Sequence, residues 1–242
     1  KGKHMSLNAR KQNNGGNRIQ QEAIEPGVYP SRLVQLIDLG LQTQRAFAGK
    51  EKPPVQEIML TYELVDEFMK DEDGNDVEDK PRWVSETLPF YGLFADKAKS
   101  TQRYYAFDPK EEFEGDFPRA VGMPINITLV QNQVGDKTYT NVANIAAMRP
   151  KDAAACPELK NPTSVFSLDA PDMEIYAKFP EWIQKKIVSN LEFKGSPLEA
   201  ALERGEGQKA DAPKKEEKKP KKDRKAPEPA DDAGDDEEQN PY

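Results

Sequence analysis

Aromatic rings and cations recur together through one stretch of this sequence. Tyr62, Trp83, Phe90, Tyr91 and Phe94 are interleaved with Arg82, Lys97, Lys99 and Arg103. A preceding segment, residues 42–54, adds Arg45, Phe47, Lys50 and Lys52; a later one adds Lys137 and Tyr139; Arg32 comes before them all. Rings offer faces on which bases stack and cations follow a phosphate path, so the two together can hold a single strand without reading its sequence. A plainer reading stands beside this one, because rings in β domains usually fill the core. Tyr62, Phe90 and Phe94 carry both readings. Trp83 follows Arg82 at the start of a strand and suits a surface equally well. Tyr104 and Tyr105 are adjacent and point different ways, so at most one could stack. Trp182, with Ile183, Ile187 and Leu191, falls on a helical apolar spacing and is expected in the core.

Other chemistries find little support. His4 is the only histidine and Cys156 the only cysteine. His-based nucleophile triads, His/Cys zinc sites and internal disulfides are thereby excluded, and Cys156 is expected to be inert. The segment DEDGNDVED sets Asp71, Asp73 and Asn75 at alternate positions, as a calcium loop does. Its sixth position is Asp76 where Gly is needed, and its twelfth is Arg82 where Glu is needed. Asp73-Gly74 therefore reads as a turn. AGKEK lacks the earlier glycine and following Ser/Thr of a phosphate loop. No cofactor and no metal is expected. Carboxylates are plentiful enough for a metal-dependent nuclease to be an alternative, but no tight acidic motif sits beside a lysine in a clean strand; the expectation is a non-enzyme.

The elements that would carry these residues are mostly strands. Residues 27–40 hold the branched run Leu33 to Leu39. In residues 55–68, Ile58, Leu60, Tyr62 and Leu64 recur at period two, as a half-buried strand requires. A turn at 71–76 leads to a third strand at 82–90, then a helix at 92–107. Strands at 124–133 and 137–148 flank Gly135-Asp136, a hairpin signal. A last helix is expected at 180–193, with Pro180 in its first turn. Three strands, a helix and two strands give a mainly β fold, a five-stranded Greek-key barrel of the OB type with added helices. Such barrels hold oligonucleotides across strands two and three and between two flanking loops.

Apolar residues make up only 36% of the chain and charged residues 32%, so part of it is expected to stay unfolded. Residues 1–25 read as an expression scar, Lys1 to His4, and a flexible arm; residues 26–204 as the DNA-binding domain; residues 205–242 as a disordered tail. The tail segregates its charge. Residues 209–225 hold nine Lys/Arg against four Asp/Glu, whereas residues 226–242 hold seven Asp/Glu and no Lys/Arg. Scar and tail cancel, so residues 5–208 carry the net charge of −8. Binding of a polyanion would then need cations clustered locally on an acidic surface. The acidic end, with Asp231, Asp232, Asp235, Asp236, Glu237, Glu238 and the terminal Tyr242, could occupy its own protein's cationic groove and reach partner proteins. Without it, duplex DNA could bind as well. No apolar run is long enough to cross a membrane, and no signal-peptide core is present, so a soluble intracellular protein is expected.

PGVYPSRLVQLIDLGLQTQ, VQEIMLTYELVD and FPEWIQKKIVSNLEF together resemble the single-stranded-DNA-binding proteins of tailed bacteriophages, over roughly residues 26–193. The resemblance implies an OB-fold protein that coats single strands during replication and recombination in the cytoplasm of an infected host. Many replication single-strand binders also end in an acidic tail with a terminal aromatic that recruits replication proteins, and residues 231–242 are similar to it. The basic block before it is less typical. The resemblance transfers no set of stacking residues. A protein-only adaptor, with the tail binding partners and the barrel a peptide, remains the main alternative.

Overall fold

In the computed structural model of the chain, residues 21–46, 49–135 and 137–205 are described. The proposed arm before residue 21, Phe47, and the tail residues from 206 on, including Asp231 to Tyr242, lie outside them.

Six strands form one sheet: β1 (Gly27–Gln42), β2 (Val55–Lys70), β3 (Asp76–Pro89), β4 (Pro124–Val134), β5 (Lys137–Ala146) and β6 (Ser164–Phe166). The order β3-β2-β1-β4-β5 is antiparallel throughout, and the short β6 runs parallel to β1. The result is a curled five-strand half-barrel, mainly β, with a few helices. These are α1 (Lys99–Phe107), α2 (Pro150–Ala155), α3 (Met173–Lys178), α4 (Glu181–Val188) and α5 (Pro197–Glu203). Among the described residues no helix is long and apolar enough to cross a membrane.

The apolar run of β1 is explained by burial on both faces. Leu33 and Leu36 turn inward to the main core with Ile58, Leu60, Leu64, Ile125 and Ile127. Ile37 and Leu39 turn outward to a second core with Met59, Phe166, Phe179, Ile183 and Ile187. Register shifts between Leu33 and Gln35 and between Asp38 and Gly40 interrupt the strand's alternation and bend it. They let one edge of β1 serve β4 over its first half and β6 over its second. At the second shift Gly40 has φ +79°, and a Cβ there would lie 2.6 Å from Asn190 Cγ. Only glycine lets the loop after α4 approach this closely.

No ladder joins β3 to β5 among the described residues. Two other devices span the gap. Arg103 of α1 reaches Glu86 of β3 through a bidentate pair, at 2.9 and 3.1 Å, and also reaches Asn144 Oδ1 and the Ala143 carbonyl of β5 at 3.3 and 3.4 Å. Further along, Gln21 exchanges two hydrogen bonds with Lys70, Arg82 donates to the Glu22 carbonyl, and the Ile24 carbonyl accepts from Gln131 and Thr140. Residues 21–24, read as arm from their polarity, thus strap β2 and β3 to β4 and β5, with Ile24 in the main core.

Other boundaries also differ from expectation. β3 begins six residues early, because its first half, DVEDKP, is a mostly solvent-facing ribbon, buried only at Pro81, without apolar alternation. The helix expected at 92–107 starts only at Lys99, after turns. The expected helix at 180–193 ends at Val188, and its spacing misleads: Ile183 and Ile187 are buried, but Trp182 is 56% exposed and Leu191 is exposed. A helix this short offers an apolar stripe only two residues long.

Candidate nucleic-acid interface

Residues of β2 alternate across the sheet. Ile58, Leu60, Tyr62 and Leu64 face the barrel interior, so Met59, Thr61 and Glu63 face outward, paired in register with Thr87, Ser85 and Trp83 of β3. Helices α3 to α5 and β6 cover the outer face over β1 and Met59. The strip of β3 that carries Trp83, Ser85 and Thr87 stays exposed.

Trp83 is 46% exposed, and its orientation is fixed from below. Its Nε1 donates to Glu63 Oε2 at 3.0 Å, and the Asn161 amide donates to the same oxygen at 2.7 Å. Glu63 Oε1 accepts the Lys160 backbone N–H at 2.7 Å. An ionised carboxylate only accepts, so both the indole and the amide must turn their N–H groups toward it. Glu63 is buried, and these three neutral donors satisfy it. It joins β2, β3 and the chain after α2 at one point. The join creates a cleft of about 410 Å³ whose walls include Trp83, Asn161, Pro162, Lys178, Phe179 and Pro180. Lys160 and Lys178 are exposed, and no ion pair involving either is seen among the described residues.

The expected cations divide by their place on the sheet. Arg45, Lys50 and Lys52 are exposed on the loop between β1 and β2, which leaves the sheet where Gln42 pairs with Val55. The end of β3 reaches the same edge, since the Phe90 N–H donates to the Gln56 carbonyl. Tyr91 and Phe94 follow there, exposed, with Lys97 and Lys99; Tyr91 is tied to α1 through its N–H on Ser100 Oγ. Phe94 is 92% exposed and has no core role. Lys137 and Tyr139 are exposed on the β4–β5 hairpin. That hairpin projects past Gly27, at the opposite end of the sheet from the β1–β2 loop. The acidic run 66–79 lies at that opposite end too, on the β2–β3 hairpin. One end of the sheet is therefore rich in cations and rings, and the acidic run lies away from it.

Four of the expected site residues point elsewhere. Tyr62 is fully buried and donates to Glu86 Oε1 at 2.8 Å; that burial, with the Glu86 charge beside it, holds its phenol well above its ordinary pKa. Arg103 is 1% exposed and committed to Glu86. Arg32 is buried and spends its guanidinium on the Pro157, Gly122 and Cys156 carbonyls and on Glu158. Arg82 is half-buried against Glu22. The first three are corrections: a cation or phenol with its partners inside the fold has no face left for a strand of DNA. For Tyr62 the core reading holds and the stacking reading falls, whereas Arg32 and Arg103 were expected at the surface, because a buried, bidentate arginine and a surface one look alike in one dimension. Asn161 and Lys178, which share the cleft with Trp83, carried no signal in the sequence, because the pairing of β6 with β1 that carries them there joins distant residues.

The turn at Asp71 needs no ion. Asp71 accepts the Asn75 and Asp73 N–H groups, and those bonds lower its pKa. Among the described residues no three acidic, His or Cys side chains gather as metal ligands would. Cys156 is buried, and burial raises its thiol pKa. No protein-family model and no curated protein matches this sequence.

Proposed function

We propose that this chain is a non-catalytic single-stranded-DNA-binding protein built on an OB-type barrel. The observation that carries the proposal is Trp83: a half-exposed indole on the outer face of β2 and β3, held in one orientation by a buried carboxylate, with exposed Lys178 in the same cleft. The sheet order β3-β2-β1-β4-β5, with a helix between β3 and β4, supports the OB-type reading, in which oligonucleotides bind across strands two and three. Phosphates follow the exposed cations of the β1–β2 loop and of Lys97 and Lys99. Bases stack on Trp83, Tyr91 and Phe94. The segments resembling phage single-strand binders support a role in protecting strands during replication and recombination.

The tail belongs to the same proposal on the sequence alone. Its acidic end competes with DNA for the cationic surface and recruits replication proteins. Removing residues 226–242 raises DNA affinity and blurs the preference for single strands.

Fluorescence anisotropy with a labelled single strand and its duplex, over a salt series, tests the reading. Single strands should bind preferentially, with log affinity falling linearly in log salt as counterions are released. Trp83→Ala should weaken binding by about 5- to 150-fold, the worth of one stacked base. Absence of single-strand binding by the full chain and by the truncation at Gln208 would remove the proposal and leave a protein-only adaptor in front.

A further inference from the structure

We infer that the cleft beside Trp83 is a pocket for one unstacked nucleobase, and that the chain after α2 supplies half of it. The inference rests on the single-strand reading and goes beyond it. An open OB face would offer stacking on one side only. Here the outer face of β3 is met by a second wall, because β6 adds to β1 and carries residues 160–180 over the sheet edge.

Three features of the cleft fit a base with its phosphate. Its volume of about 410 Å³ lies at the small end of small-molecule sites, which suits a single ring system better than a stacked run. The lining pairs an aromatic face, Trp83, with apolar Pro162, Phe179 and Pro180, and it also holds the Gln35 and Asn161 amides, groups that can meet a base edge. Lys178 lines the cleft and Lys160 stands next to Asn161, both exposed. Their charge favours the phosphates on either side of an inserted base over an acidic or neutral peptide. Glu63 is the positioning residue: one of its oxygens accepts from both Trp83 and Asn161, so β3 and the segment before β6 are tied together at the cleft.

The cleft should therefore register a mononucleotide, which is too short to bridge the cation-rich end of the sheet. The chain has two tryptophans, so the Trp182→Phe protein reports on Trp83 alone. Thymidine monophosphate should quench that emission saturably, and Lys178→Glu, an exposed substitution that spares the core, should abolish the quenching. The same substitution should weaken oligo(dT) binding by about 5-fold or more. Oligo(dT) binding with neither quenching by the mononucleotide nor any effect of Lys178→Glu would overturn the pocket and leave the single-strand reading intact. Failure of oligo(dT) to bind at all would overturn both. Quenching that persists in Lys178→Glu and is matched by thymidine would retain the base pocket but overturn the role given to the lysine.

Discussion

Replacing Arg103 should unfasten the half-barrel rather than weaken the DNA binding proposed for it. The residue is 1% exposed, and its ion pair with Glu86 and its contacts to β5 together span a gap that no backbone ladder closes among the described residues. Arg103→Ala removes the bidentate pair and both contacts to β5. It leaves the Glu86 carboxylate, whose side chain is 9% exposed, with Tyr62 as its remaining partner. Stranding one member of a buried pair costs about 3–5 kcal/mol, because the desolvation of the survivor is no longer offset. With a urea dependence of about 2 kcal/mol per molar, the midpoint should fall by about 1.5–2.5 M. Urea titration followed by far-ultraviolet circular dichroism measures it. The double replacement Arg103→Met with Glu86→Gln removes both charges, keeps an acceptor for the Tyr62 hydroxyl, and should recover part of the loss. Under conditions where Arg103→Ala remains folded, the salt slope of DNA binding should equal that of the unaltered protein. A loss below about 1 kcal/mol, or a double variant no better than the single, would refute the clasp. A slope reduced by about one phosphate contact would return Arg103 to the DNA surface.

Three further outcomes follow from local geometry. Gly40→Ala forces a left-handed residue against Asn190 and should cost about 2 kcal/mol or more, a fall of about 4–8 °C in Tm by calorimetry; Gly74→Ala, with φ +84° but open space around it, should cost less, and equal losses would show that the collision contributes nothing. Burial raises the pKa of Asp38 despite bonds from Gly40, Leu168 and Gln56, so its charged form costs stability above the folded pKa and nothing below the unfolded value near about 4; denaturation at several pH values should show Asp38→Asn gaining on the unaltered protein as pH rises from about 4 to 7, and a pH-independent difference would contradict the assignment. Glu63→Gln sets an amide N–H against at least one of three donors and should cost about 1–3 kcal/mol, with a changed near-ultraviolet dichroism of Trp83 in the Trp182→Phe background; an unaltered spectrum would mean the indole is held by packing alone.

The strands that carry the barrel were legible because their burial is one-sided or complete over long stretches. β2 shows period two from Ile58 to Leu64, and β1 shows the continuous run of a strand covered on both faces. β4 and β5 declare themselves through the Gly135 turn. What escaped was short or conditional on distant partners. β6 has three residues, α3 six and α5 seven, too few for any period to emerge. Trp83 and the loop cations could be picked out by type. Their separation into a cation-rich end and an acidic end is a property of register, and register follows from pairings that a single sequence does not display. Arg103 was misjudged for the same reason: it owes its burial to Glu86, an acid whose depth in the sheet nothing local announces.

The parallel pairing of β6 with β1 also has a consequence in time. It joins Gln35 to Ser164, whereas each hairpin of the half-barrel joins near neighbours in the chain. During synthesis β1 to β5 are complete once Ala146 has left the ribosome, while the wall opposite Trp83 is still being made. Messenger and nascent strands nearby are single-stranded polyanions too. A chain whose proposed binding cleft is finished last would pass through its own birthplace with that cleft still unmade, and stalled chains with residues up to about 150 or about 205 outside the ribosome should differ in their retention on single-stranded nucleic acid accordingly.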